Sequence, residues 1–129
     1  IGPVYICSRF FDLLAESGGG TVINISSEVV SIDGVGPKYA AYCMSKTAIA
    51  QYGFILKQTA AALGIPTRVF SVHPGRMKTA MGAENGQIEA AESAEGIYRL
   101  AVGEVFADNR EIYVDYRGNA MLHQTGRKE

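Results

Sequence analysis

The sequence predicts an α/β layered fold built on a parallel sheet. Helix-like and strand-like patterns alternate as helix, strand, helix, strand, helix, strand along the chain. The first strand-like segment, TVINIS, is short, β-branched and nearly all apolar, which suits a strand covered on both faces. Glycine and proline break the patterns where one element should give way to the next.

Each element has its own signal. Residues 3–16 carry Val4, Cys7, Phe10, Phe11 and Leu14 at helical spacing, and Gly18, Gly19 and Gly20 stop the pattern before TVINIS. Residues 38–63 form the longest pattern, with Ala41, Met44, Ala48, Tyr52, Ile55, Thr59 and Leu63 on one stripe taken as the inward face. GIP at 64–66 ends it. TRVFSVHPG follows as a second strand broken by Pro74 and Gly75, then a polar stretch containing Gly82 and Gly86. A weaker helix covers 91–102, with Ala94, Ile97, Tyr98 and Ala101 expected inward. The last strand is EIYVDY, bounded by Arg110 and Gly118.

Composition narrows the class. With 129 residues, 47% hydrophobic and 19% charged, and a formal net charge of −1, the chain reads as one soluble globular domain over 1–129. That balance gives no electrostatic reason to expect nucleic acid or a membrane surface, and the basic pair Arg127 and Lys128 before Glu129 reads as a frayed end. Cys7, Cys43, His73 and His123 show no metal-ligand spacing, so neither a disulfide scaffold nor a metal site is expected. No apolar run has membrane-spanning length, and a cytoplasmic location follows by elimination. Three strands are few for a parallel sheet, the first would present a bare edge, and the chain opens on Ile1 inside a helical pattern. The expectation is therefore the C-terminal portion of a larger domain.

Three short motifs carry the chemistry. NISS closes the first strand, Tyr42 and Lys46 lie four apart on the helix after it, and HPGRMKT closes the second strand. In parallel α/β sheets ligands bind beyond the carboxyl ends of strands, where all three motifs fall. A phenol with an ordinary pKa near 10 shuttles protons poorly at neutral pH, and a neighbouring ammonium favours its ionised form. A serine hydroxyl beside it would hold a carbonyl oxygen in place for proton transfer.

NISS, then YxxxK as YCMSK, then PGxxxT as PGRMKT, in this order and on these elements, resembles the C-terminal half of the short-chain dehydrogenase/reductase family over residues 1 to about 118. HPGRMKTAMG followed by ESAEGIYRL is similar to its C-factor-like, carbonyl-reductase-type branch. The resemblance implies a doubly wound, Rossmann-like parallel sheet, here with three strands and three main helices. It implies Tyr42 as general acid/base, Lys46 as the group that tunes it and bonds the nicotinamide ribose, and Ser27 as the residue orienting the substrate oxygen. Pro74 and Gly75 would turn under the nicotinamide, with the Met77 backbone and the Thr79 hydroxyl on its carboxamide. The implied reaction is reversible hydride transfer between NAD or NADP and a carbonyl or alcohol, NADP being favoured by the carbonyl-reductase likeness. The implied assembly is a homodimer or homotetramer through the helices at 3–16 and 38–63, where Phe10, Phe11, Ala50, Phe54 and Ala61 add apolar surface. The rival is a non-catalytic remnant that acts by association with another chain.

Blander roles stand beside these. Ser26 is the alternative to Ser27, although capping a turn suits Ser26 better. Cys43 points about 100° away from Tyr42 and reads as packing. His73, with no carboxylate or cysteine nearby in sequence, reads as structural, and Asp115 as a solvated turn residue. Val30 stands where many family members have glycine, and Met77 where valine is usual. The family's TGxxxGxG turn, its NNAG segment and its catalytic asparagine have no counterpart here, because ESGGGTV leads into a strand instead of out of one.

Overall fold

The computed structural model describes residues 2–31, 35–80, 85–105 and 112–122. Ile1, Gly82, Arg110, Glu111, His123 and residues 127–129 lie outside the described residues. The elements run α1 (Gly2–Glu16), β1 (Gly20–Ile25), α2 (Ala40–Ala62), β2 (Thr67–His73), α3 (Ala90–Val102) and β3 (Tyr113–Asp115). Two short 3-10 turns, Glu28–Val30 and Pro37–Tyr39, link β1 to α2. The strands form one parallel sheet in the order β1-β2-β3, with Val22 beside Val69, Ile25 beside Val72, and His73 beside Asp115. This is the α/β alternation that the sequence predicts. The third strand is shorter than its pattern, because the chain turns at Tyr116 while keeping that ring in the core.

The central strand has helices on both sides. Phe70 and Val72 pack with Leu100, Val114 and Tyr116, and a second cluster of Val30, Ala50 and Tyr113 lies beneath α2. Fully burying a residue such as Leu100 stabilises the fold by about 1.5–3 kcal/mol.

The expected inward stripe of α2 is corrected. Ala50, Gly53, Leu56 and Ala60 are the buried positions, while Ala41, Met44, Ala48, Ile55, Thr59 and Leu63 are exposed and Tyr52 is half-buried. Size explains the difference. A Cβ on Gly53 would stand 2.5 Å from Ser71 Oγ, so the helix lies too close to β2 for a large side chain there. Ala50, read as outer surface, turns to the sheet for the same reason. In α3 the buried residues are Ser93 and Leu100; Ile97 and Ala101 are half-buried, and Ala94 and Tyr98, expected inward, are exposed.

Helix α1 buries none of its residues fully. Cys7, Phe11 and Leu14 are half-buried, whereas Val4 and Phe10 are exposed. Gly18 and Gly19 end the helix with φ of 79° and 112°, their N–H groups donating to Ala15 and Leu14. Among the described residues β1 pairs only with β2, and of its residues only Asn24 is fully buried, so its expected cover on both faces is not found. No helix among the described residues is long and apolar enough to cross a membrane. Cys7 and Cys43 are free thiols, and no metal-binding cluster occurs among the described residues.

Candidate active site

Because the strands are parallel, β1 and β2 deliver their carboxyl ends to the same rim of the sheet. Ser26 and Ser27 leave β1 there, Pro74 and Gly75 leave β2, and the first turns of α2 return Tyr42 and Lys46 above them. Ser27, Tyr42, Lys46, Pro74, Gly75, Met77 and Thr79 all line one cleft of about 600 Å³, together with Ser26, Glu28, Tyr39, His73 and Arg76. The residues singled out in the sequence are thus brought together.

The Lys46 ammonium donates to the Ile25 carbonyl at 2.9 Å and lies 5.8 Å from the centre of the Tyr42 ring. Tyr42 is 40% exposed, so its ring stands open to the cleft. The Ser26 hydroxyl is buried and donates to the Lys46 backbone carbonyl at 3.1 Å. Ser27, not Ser26, is the cap: its Oγ accepts the Val29 N–H at 3.4 Å at the start of the Glu28–Val30 turn. That bond uses a lone pair of the oxygen and leaves the hydroxyl hydrogen to donate. Cys43 is half-buried, as expected of a packing residue.

Gly75 has φ of 82°, and a Cβ there would meet Ile88 Cδ1 at 2.5 Å and the Tyr116 ring at 3.3 Å. Glycine is required at that corner. Ser93 Oγ donates to the Pro74 carbonyl at 2.6 Å and ties α3 to the turn. Beyond it, the Lys78 N–H donates to Ile88 and the Thr79 N–H to Met77, which leaves the Thr79 side chain exposed at the cleft.

Sequence reasoning missed Glu28 and Arg76. They pair at 2.6 Å across the rim, and the Glu28 N–H donates to His73 Nδ1 at 3.2 Å. Burial pushes the His73 imidazole pKa down; Glu28 and Asp115 act against that shift, and Arg76 acts with it. The signal was present: opposite charges stand just past the carboxyl ends of two neighbouring parallel strands. Asp115 is a turn residue as read, its carboxylate accepting the N–H groups of Arg117 and Asn119, each at 2.9 Å, and the Asn119 side-chain amide.

The residues present fit one end of a nicotinamide dinucleotide. A fixed ammonium and an exposed hydroxyl line the cleft beside the Pro74–Gly75 corner. For a pyrophosphate the described residues hold no glycine-rich passage from strand to helix, since β1 leads into Ser26 and Ser27, and β2 into Pro74 and Gly75.

Comparison with known proteins agrees with the fold. The family model for short chain dehydrogenase matches residues 1–90. Carbonyl reductase Sniffer of D. melanogaster superposes with a TM-score of 0.77 at 22% identity, covering 92% of this chain and 52% of its own. The NADPH-bound carbonyl reductase from chicken fatty liver superposes with a TM-score of 0.72 at 22% identity, with the same coverages of 92% and 52%. At such identity the likeness is one of fold, and the chain spans about half the length of either structure. No curated protein matches it. The matched residues 1–90 include β1, α2, β2 and every residue that lines the cleft, and the chain belongs to the short chain dehydrogenase family.

Proposed function

We propose that this chain carries the proton-transfer machinery of an NAD(P)-dependent oxidoreductase that interconverts a carbonyl and an alcohol. One observation carries the reading: Ser27, Tyr42 and Lys46 line a single cleft whose floor is the Pro74–Gly75 corner. Ser27 donates its hydroxyl hydrogen to the substrate oxygen, and the Tyr42 phenol exchanges a proton with that oxygen. Lys46, anchored on Ile25, directs its remaining N–H bonds toward the cofactor ribose. The Met77 backbone and the Thr79 hydroxyl take the carboxamide. A bound nicotinamide supplies or accepts the hydride. The NADPH named for the chicken enzyme favours NADP over NAD. The exposed apolar side chains Val4, Tyr5, Ile6, Phe10 and Leu13 on α1, with Met44 and Ile55 on α2, support a homodimer or homotetramer through these helices.

The test is nicotinamide absorbance against aldehydes, ketones and alcohols, with the chain alone and joined to a glycine-rich dinucleotide-binding half of the same family. Turnover in the joined protein is expected. Its absence with every substrate class, in a protein that binds NADPH, overturns the reading.

A second reading, association with another chain without catalysis, has its own observation. An apolar groove of about 780 Å³ runs between α1 and β1, and the buried Asn24 Nδ2 beside it has no hydrogen-bond partner among the described residues. A joined protein that binds the cofactor without turnover would favour this reading.

A further inference from the structure

The serine turn and the Pro–Gly turn are held together through one peptide group. The carbonyl of Ser27 accepts the Tyr113 hydroxyl at 2.7 Å, and the N–H on the other side of the same peptide bond, that of Glu28, donates to His73 Nδ1 at 3.2 Å. A peptide unit is planar, so partners on its C=O and its N–H fix the orientation of the whole plane, including the Ser27 Cα that bears the hydroxyl. The Glu28 carboxylate adds a second tie, to Arg76.

We infer that His73 is a positioning residue for Ser27: as a neutral imidazole it accepts the Glu28 N–H, and on protonation it lets go of the Ser27–Glu28 peptide. An imidazole nitrogen accepts a hydrogen bond only when it carries no proton, and the imidazolium carries a proton on both nitrogens. The bond at Nδ1 therefore places the ring proton on Nε2. Glu28 and Arg76 act on the ring from the two turns and Asp115 from the end of β3; Arg117 lines a shared groove with it there, and Tyr42 and Lys46 of α2 line the shared cleft. The carboxylates favour the imidazolium, Arg76 opposes it, and burial outweighs them in keeping the ring neutral. Tyr113, whose own pKa is raised by burial, remains an O–H donor throughout. His73 thus acts through Ser27 and touches no reacting atom in this role. The catalytic consequence rests on the proposed reaction; the latch itself does not.

The test is a pH titration of the 15N-labelled chain by NMR, following the His73 ring nitrogens and the Glu28 amide. The Glu28 cross-peak should move with the His73 midpoint, and its exchange protection factor should fall about tenfold below that midpoint. In His73→Asn an amide oxygen that does not titrate takes the place of Nδ1, so protection should persist and its pH dependence vanish. In His73→Leu protection should be lost at every pH while other core amides keep theirs. A Glu28 amide indifferent to the His73 midpoint, or parental protection in His73→Leu, overturns the inference. Should His73→Leu fail to fold, the parental titration decides alone. None of these readouts depends on turnover, so a chain with a working latch and no reductase activity would count against the proposed reaction only.

Discussion

Lys46 donates its ammonium to the carbonyl of Ile25 at 2.9 Å, while its own backbone carbonyl accepts the hydroxyl of the next strand-end residue, Ser26, at 3.1 Å. Helix and strand end are therefore tied in both directions within two residues of Ser27. The two ties differ in burial, and burial decides what each contributes. Ser26 is 1% exposed, whereas Ile25 is 41% exposed and water can replace the ammonium there.

Ser26→Ala should accordingly destabilise the chain by about 1 kcal/mol, the usual net worth of a buried hydrogen bond. Ser27→Ala should cost less, since it gives up only a 3.4 Å bond capping a three-residue turn. Urea unfolding followed by circular dichroism measures both. The reverse order would mean that the cap, and not the tie to α2, holds the serine turn.

Gly75→Ala should destabilise by about 1–2 kcal/mol, because φ of 82° is costly for any residue with a Cβ. The added methyl also meets Ile88 and Tyr116, so the corner beneath the cleft must shift. Gly64→Ala is the control: its φ of 69° carries the same backbone cost, but no atom lies within 4 Å of the new Cβ. Equal losses of stability in the two variants would show that packing at the corner contributes nothing.

What could be read in advance follows from which interactions are local. The order of elements rests on periodicity and on Gly18, Gly19, Pro74 and Gly75, all local signals, and the three α-helices and three strands were legible to within a few residues. The grouping of Ser27, Tyr42 and Lys46 was legible too, because strand ends and a four-residue helical spacing dictate it. The buried face of α2 was not. Apolar size pointed to Met44, Ile55 and Leu63, whereas the sheet demands the small residues Ala50, Gly53 and Ala60, and only the approach of Ser71 reveals that. The contacts of Glu28 with Arg76 and His73 escaped for a related reason. Their contacts span 45 and 48 residues and depend on the parallel pairing of β1 with β2.

His73 also predicts a pH dependence of stability. Its folded pKa lies below the unfolded value of about 6.5, so the unfolded chain takes up the proton first. Stability is then complete above about pH 6.5 and declines as pH falls from there toward the folded pKa, by at most about 1.4 kcal/mol per pH unit. Urea midpoints measured between about pH 5 and pH 7.5 should show this decline in the parental chain and a flatter profile in His73→Asn. An equally steep profile in both would assign the dependence to other groups.

The proposed chemistry makes the sharpest demand on Tyr42. Tyr42→Phe keeps the ring, which is largely open to the cleft, and removes only the hydroxyl, so stability should be nearly unchanged. In the protein joined to a dinucleotide-binding half, kcat and kcat/KM should fall together by at least about 100-fold, since the lost group acts on the proton in transit. Lys46→Met should lower turnover and also weaken NADPH binding, because in the proposed site the ammonium anchored on Ile25 would also bond the ribose. Ser27→Ala should lower kcat with cofactor affinity retained. Stopped-flow turnover and calorimetric NADPH titration separate the three patterns. Near-parental turnover in Tyr42→Phe would show that the cleft gathers a phenol, an ammonium and a serine without using them for proton transfer.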